Sequence, residues 1–389
     1  MMRRFLFSAC LCVTAAFSAT QTVSAQDAAP AFATKARQVY MVEEKTGTVL
    51  LSANENQSLP AASLAKLMTM EVVFSALQRG EITPETSYPV TEFAWRTGGA
   101  PSGTTTMFAA LKSQMKVDDL IRGVIIQNAN DACIILAEGL SRSEAEFATR
   151  MNARAKDLGL TRSAFGNSTG LPSAESRTTT RDMVELARHL QKTYPQYYPL
   201  YAQPDFTWNK IFQRNKNPLL ALNLGIDGLG AGYAEGAGFS FVASAQREGT
   251  RLFLAMGGLA SDKERVEEAR RVMEWGLSSF QTKVIFAQGE VIGQASVYGG
   301  TSRHVDLVAQ EPVDLYLPTN SPDRLSGRIV YRWPLRAPVT KGQEIGVLQI
   351  SSGDRLVREV PLMTADAIEG GTLFNKATDA ALELMFFWL

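Results

Sequence analysis

Histidine and cysteine are nearly missing from this 389-residue chain, at two and three copies. His189 falls in a helical run and His304 in a strand-rich region, neither in a turn that presents a catalytic base, so a Ser-His-Asp triad is disfavoured. There is no Cys/His spacing of a metal site and no phosphate-cradling glycine loop. No metal or other cofactor is therefore expected. Cys10 and Cys12 sit in a segment expected to be removed, which leaves Cys133 alone and excludes a disulfide framework within one mature chain. An excess of charge is missing too. Lys plus Arg and Asp plus Glu balance at 39 each, so no global field points to nucleic acid. No internal repeat occurs. The 45% hydrophobic and 20% charged content is that of a folded protein long enough for two domains.

What is present begins with residues 1–25. Arg3 and Arg4 open them, residues 5–17 are apolar, and Val23-Ser24-Ala25 is a small-x-small cleavage site. This predicts a secretory leader and a mature protein outside the cytoplasm, where a cytosolic nucleotide-dependent reaction has no place. Its removal leaves 37 basic against 39 acidic residues, still close to neutral.

Residues 38–43 and 48–52 read as a hairpin about Lys45-Thr46-Gly47. Helical periodicity covers 117–127, 130–140, 143–158, 179–191 and 262–280, and strands are expected at 239–245 and 251–256 about Glu248-Gly249. Together these predict one α/β domain over residues 35–280. Beyond it, short strand-like runs at 291–298, 303–309, 313–317, 328–333, 345–350 and 356–362 predict a small all-β domain over 281–370. The last segment, 374–389, ends Leu384-Met385-Phe386-Phe387-Trp388-Leu389 and is too short to span a bilayer comfortably. It reads as an amphipathic helix on a membrane surface, or as a terminal helix docked on its own protein.

The chemistry centres on Pro60-Ala61-Ala62-Ser63-Leu64-Ala65-Lys66-Leu67-Met68-Thr69. If the apolar run here is helical, Ser63 and Lys66 share a face one turn apart. A serine hydroxyl needs a neighbouring base, and a lysine becomes one when burial lowers its pKa. Ser-x-x-Lys alone is a weak signal, since chance produces it often.

The order of segments resembles the D-alanyl-D-alanine carboxypeptidases, the low-molecular-weight penicillin-binding proteins, whose signature is Ser-x-x-Lys, Ser-x-Asn and Lys-Thr-Gly. Ser63 to Lys66 is similar to the first motif. Gln127-Asn128-Ala129-Asn130-Asp131 is similar to the second, with Asn128 in place of serine and Asn130 matching. Asp227-Gly228-Leu229-Gly230-Ala231-Gly232, before Val242-Ala243-Ser244-Ala245, is similar to the third, with Gly230 and Ala231 replacing lysine and threonine and only Gly232 kept. The literal Lys45-Thr46-Gly47 lies upstream of Ser63 and is taken as turn chemistry.

The resemblance implies a penicillin-binding transpeptidase-like (β-lactamase-like) α/β domain, then a small all-β domain and a C-terminal amphipathic helix. It implies a periplasmic enzyme on the outer face of the inner membrane that removes the terminal D-alanine of peptidoglycan pentapeptides and is acylated by β-lactams. Ser63 would be the nucleophile, Lys66 its base and Asn130 a positioning amide. Asn128 hydrogen-bonds but cannot relay a proton through a hydroxyl. The oxyanion hole would be the N–H groups of Ser63 and Tyr233. Gly230, Ala231 and Gly232 would line the substrate site, and Lys216 stands where the family carries an arginine near the substrate carboxylate; its other reading is a solvated loop lysine. Two rivals stand beside this: a pseudoenzyme that binds peptidoglycan or a wall-synthesis partner without turnover, and a β-lactamase, which shares the first motif.

Overall fold

A computed structural model describes residues 32–319, 325–353 and 355–386. The expected leader lies outside them. In chain order the α/β part holds β1 (Gln38–Glu43), β2 (Val49–Ala53), α1 (Ala65–Gln78), β3 (Ser87–Pro89), α2 (Glu92–Thr97), β4 (Gln114–Lys116), α3 (Val117–Ile125), α4 (Asn130–Ser141), α5 (Glu144–Asp157) and α6 (Thr180–Thr193). It continues with β5 (Asp205–Trp208), β6 (Ile211–Arg214), β7 (Ile226–Ala234), β8 (Gly238–Arg247), β9 (Thr250–Leu259) and α7 (Asp262–Ser278). The β-rich part holds β10 (Phe280–Phe286), β11 (Val291–Tyr298), β12 (His304–Val308), β13 (Val313–Pro318), β14 (Leu325–Tyr331), β15 (Leu335–Arg336), β16 (Glu344–Ser352) and β17 (Arg355–Thr364). Helix α8 (Leu373–Phe386) ends it.

The α/β part is built on an antiparallel sheet of order β2-β1-β9-β8-β7. Every residue of β1 is buried, as is the centre of β8 and β9. Such strands read as near-continuous apolar runs because α6 and α7 pack against the sheet. Strand β7 is left at the edge. Helix α1 is buried from Ala65 to Ala76 all round its circumference, the signature of a core helix. Helices α3, α4, α5 and α6 surround it.

The expected start of the first helix shifts. Ser63 lies in a 3-10 turn, Ala62–Leu64, and α1 begins two residues later at Ala65. Ala62 has φ +45°, a left-handed conformation that a residue with a Cβ rarely adopts. The Lys45-Thr46-Gly47 segment is the β1–β2 turn, as expected. The Glu43 carboxylate accepts hydrogen bonds from the Lys45 and Thr46 backbone N–H groups at 3.0 and 2.7 Å, and Gly47 takes φ +66°. All six anticipated strand runs of the β-rich part are strands; β10 and β15 were not anticipated, nor was the β5–β6 hairpin. The β-rich part forms a six-stranded sheet, order β14-β16-β17-β12-β11-β15, beside the antiparallel pair β10–β13. Its core includes Val305, Leu307, Leu315, Leu348 and Leu362.

Helix α8 is docked on this sheet at its beginning. The Gly299 N–H donates to the Asp379 carboxylate at 2.8 Å, and Asn375 Nδ2 donates to the Gly300 carbonyl at 3.1 Å. Arg303 adds an ion pair to Asp379 at 3.4 Å. No helix among the described residues is long and apolar enough to cross a membrane.

Candidate active site

The 3-10 turn Ala62–Leu64 and the start of helix α1 bring the first pair together. Ser63 and Lys66 line the same small cavity, of about 40 Å³. Lys66 is 5% exposed although it carries an amine, and its Nζ donates to the Thr169 carbonyl at 2.7 Å. Burial pushes its pKa down, with a small opposing effect from neighbouring Cys133. A neutral amine is thereby brought closer to working pH, which is what a general base beside a serine needs. Cys133 itself is buried, and burial pushes its thiol up to about 12, so it packs as an inert apolar group.

The Thr169 carbonyl is aimed by a loop fastened on several sides. Glu144, at the start of α5, accepts from the Ser168 backbone N–H at 2.9 Å and from its hydroxyl at 2.5 Å. Thr69 Oγ1 donates to the Ser168 carbonyl at 2.7 Å, and Asn167 Oδ1 accepts from the Gly170 N–H at 2.7 Å. Gly170 has φ +76°, and a Cβ there would stand 1.7 Å from the Ala62 carbonyl oxygen. Only glycine lets this loop close over the turn that carries Ser63. None of Glu144, Ser168 or Thr169 was singled out in the sequence. The link is a backbone carbonyl 103 residues from its amine, and no local pattern encodes it.

The second-motif residues lie between α3 and α4. Asn128 lines the cavity and has φ +58°, the left-handed region where asparagine is the best tolerated residue after glycine. Asn130 opens α4. Its amide donates to Thr104 Oγ1 at 3.0 Å while its carbonyl oxygen is buried without a partner, an acceptor available to a ligand N–H. It is not among the residues lining the small cavity. Next to it, Asp131 is fully buried and accepts from Thr106 Oγ1 at 2.6 Å and from the Met107 and Ala109 N–H groups, both at 3.0 Å. Burial raises its pKa against those bonds.

The third wall is β7. Gly230 and Ala231 line the cavity, and a Cβ on Gly230 would meet nothing nearer than Leu67 Cδ2 at 4.0 Å. Gly232 backs onto Ser63; a Cβ there would stand 3.5 Å from the Ser63 nitrogen and 3.0 Å from Ser240 Oγ. Its carbonyl accepts from Arg265 of α7 at 3.3 Å, which braces the strand from behind. Tyr233 points elsewhere. Its side chain is 57% exposed, rests on Phe239 at 4.6 Å between ring centroids, and lines a second, larger groove.

Lys216 also reaches the cavity, although it is largely exposed. Its backbone N–H donates to the Ile126 carbonyl at 2.8 Å, tying its loop to the second-motif loop. Its ammonium has no hydrogen-bond or ion-pair partner among the described residues. Tyr201 and Asn217, not foreseen, complete the lining with apolar side chains of α1 and α3. His189 is structural: it packs edge-on to Tyr194, with Nε2 3.1 Å from the buried Glu71 carboxylate but not aligned for a hydrogen bond. Glu71 also binds Arg154 at 2.6 Å and Tyr194 at 3.1 Å, pinning α1 to α5 and α6.

Comparison with known proteins places this geometry. The family pattern "D-alanyl-D-alanine carboxypeptidase" matches residues 21–258, and "Penicillin-binding protein 5, C-terminal domain" matches residues 280–370. D-alanyl-D-alanine carboxypeptidase DacC of Escherichia coli K12 is 34% identical, over 96% of this chain and 92% of the relative. Penicillin-binding protein 5 of Haemophilus influenzae superposes with a TM-score of 0.73 at 30% identity, over 87% of this chain and 98% of that one. Penicillin-binding protein D2 of Listeria monocytogenes, solved with ampicillin bound, superposes with a TM-score of 0.58 at 26% identity, over 64% of this chain and all of the other.

Proposed function

The chain belongs to the D-alanyl-D-alanine carboxypeptidases of the low-molecular-weight penicillin-binding type, and on that premise we propose how its own residues carry the reaction. Ser63 attacks the carbonyl of the penultimate D-alanine of a peptidoglycan stem peptide. Lys66, whose pKa burial lowers, takes its proton. The N–H groups of Ser63 and Tyr233 hold the developing oxyanion, and D-alanine leaves. Water then releases the shortened stem from the acyl-enzyme.

The observation that supports this most directly is the convergence of Ser63, buried Lys66, Asn128, Lys216 and the Gly230-Ala231 edge on one 40 Å³ cavity. That volume suits a single small residue. Lys216, the unpartnered cation at its rim, answers the carboxylate that such a residue carries when it ends a chain. A second groove, of about 710 Å³, is lined by Ala62 next to Ser63 and by Tyr233, and in this reading it takes the acyl chain. A small cationic leaving side and a larger acyl side are what a carboxypeptidase requires. Asn130 positions the acyl amide through its unpartnered carbonyl oxygen. Edge strand β7 offers its free side for main-chain pairing with an extended peptide.

β-Lactams, which mimic the D-Ala-D-Ala unit, are expected to acylate Ser63. Intact-protein mass spectrometry after penicillin treatment tests this: an adduct on the wild type that Ser63→Ala abolishes supports it, and an unmodified wild type refutes it. A second reading has its own observation. Gly230 and Ala231 supply no side-chain donor where the family has lysine and threonine, so the protein could bind stem peptides without turnover. Sustained Ser63-dependent release of D-alanine from a pentapeptide excludes that. The leader-like residues 1–25 and the apolar run 384–389 support a location in the periplasm at the outer face of the inner membrane. In this reading, the start of α8 is held by Asp379 while its apolar end lies in the lipid surface.

A further inference from the structure

The 710 Å³ groove that the proposed function assigns to the acyl chain is lined by Pro60, Ala62, Leu171, Pro172, Tyr233 and Glu235. No lysine, arginine or histidine lines it; Glu235 is its only carboxylate. That carboxylate is exposed in the β7–β8 turn and has no hydrogen-bond or ion-pair partner among the described residues. The cavity that holds Ser63 and this groove therefore carry opposite charge at their edges: the Lys216 ammonium in the first, the Glu235 carboxylate in the second.

We propose that Glu235 is a specificity residue that recognises a cationic side chain on the stem residue preceding the acyl D-alanine, so that the enzyme favours stems whose side-chain amine is free over stems in which it is acylated by a crosslink. This rests on the carboxypeptidase reading of the site. Reach is consistent with it. Gly232 abuts the Ser63 backbone, and Glu235 lies three residues on, about 10 Å at the rise of an extended strand. The stem residue next to the acyl D-alanine begins about 3.5 Å further along an extended chain. A four-carbon amine side chain covers the rest. The exposed Tyr233 ring flanks that path and offers its face to the methylenes and the ammonium. An uncrosslinked stem presents this amine as a cation, whereas a crosslink turns it into a neutral amide. Charge alone then distinguishes the two.

The test uses two probes, Nα-acetyl-Lys-D-Ala-D-Ala and its Nα,Nε-diacetyl form, with the full mature protein and with Glu235→Gln and Glu235→Lys. An exposed carboxylate pairing with a mobile ammonium is worth about a 2- to 5-fold preference in kcat/KM for the free amine at low salt. That preference should fall as salt rises, vanish in Glu235→Gln and reverse in Glu235→Lys, with the diacetyl peptide hydrolysed at an unchanged rate by Glu235→Gln. Equal rates on both peptides in the wild type, or an equal loss on both in Glu235→Gln, overturn the proposal. Binding of the same peptides to Ser63→Ala, followed by calorimetry, separates the two readings. A free-amine preference in binding without wild-type turnover overturns only the carboxypeptidase reading. Turnover without the preference overturns only the role of Glu235, and absence of both overturns both.

Discussion

Restoring the third motif, Gly230→Lys with Ala231→Thr, is the most demanding test of how this site works. The structure has room for it. A Cβ at 230 has no neighbour nearer than 4.0 Å, and both positions face the cavity that holds Ser63 and Lys66. Each new side chain offers a hydrogen bond to a charged group, worth about 1.5–3 kcal/mol. If made only in the transition state, each would bring roughly 10- to 150-fold in rate. Against this stands the cost of ordering a lysine, up to about 2 kcal/mol, and the two terms are not additive because both side chains would serve one substrate. A second ammonium next to Lys66 also disfavours the charged form of that amine, which helps it act as a base. A net gain of about tenfold is expected in the second-order rate of acylation by labelled penicillin, with a parallel gain in D-alanine release. Thermal unfolding serves as the control, since replacing a strand glycine should stabilise by about 0.5–1 kcal/mol. A folded double variant no faster than the wild type would refute the idea that the missing donors limit this enzyme.

Two further outcomes follow from the amine and its carbonyl partner. Because burial lowers the Lys66 pKa, the rate of penicillin acylation should rise with pH along a limb lying below the ordinary lysine value of 10.5, and Lys66→Met should remove both limb and activity. The sign for stability is the same: between the lowered pKa and 10.5 the unfolded chain holds the proton more tightly, so stability to urea should rise with pH in the wild type but not in Lys66→Met. Glu144→Ala frees the loop that aims the Thr169 carbonyl. Losing an acceptor that favours the ammonium should shift the limb to lower pH while its plateau falls about tenfold, whereas a merely structural role would change the plateau and leave the limb in place.

Much of the architecture was legible because periodicity is local. The β1–β2 hairpin, helices α3 to α7 and six of the strands beyond α7 follow from alternation, 3.6-residue spacing and turn chemistry in the residues themselves. What escaped shares a physical cause. The β5–β6 hairpin turns at Asn209 and Lys210, both at positive φ, without the glycine that marks such turns. Strand β10 starts two residues after α7 ends, and its exposed residues do not alternate cleanly. The boundary at Ser63 moved because an unusual Ala62 conformation forces a tight turn, a matter of packing against Gly170 rather than of propensity.

The sequence alone singled out Ser63 and Lys66 as the candidate nucleophile and base, because a hydroxyl and an amine three residues apart are brought together by chain geometry. It also determined which family donors are missing, since Asn128, Gly230 and Ala231 are visible as residue types. Only the tertiary structure decided that Lys66 is desolvated, that a carbonyl 103 residues away holds its amine, that Lys216 faces the same cavity as Ser63, and that Glu235 lines the larger groove next to Ala62. Burial and charge opposition arise from segments distant in sequence, and their energies exist only once the chain has closed around them.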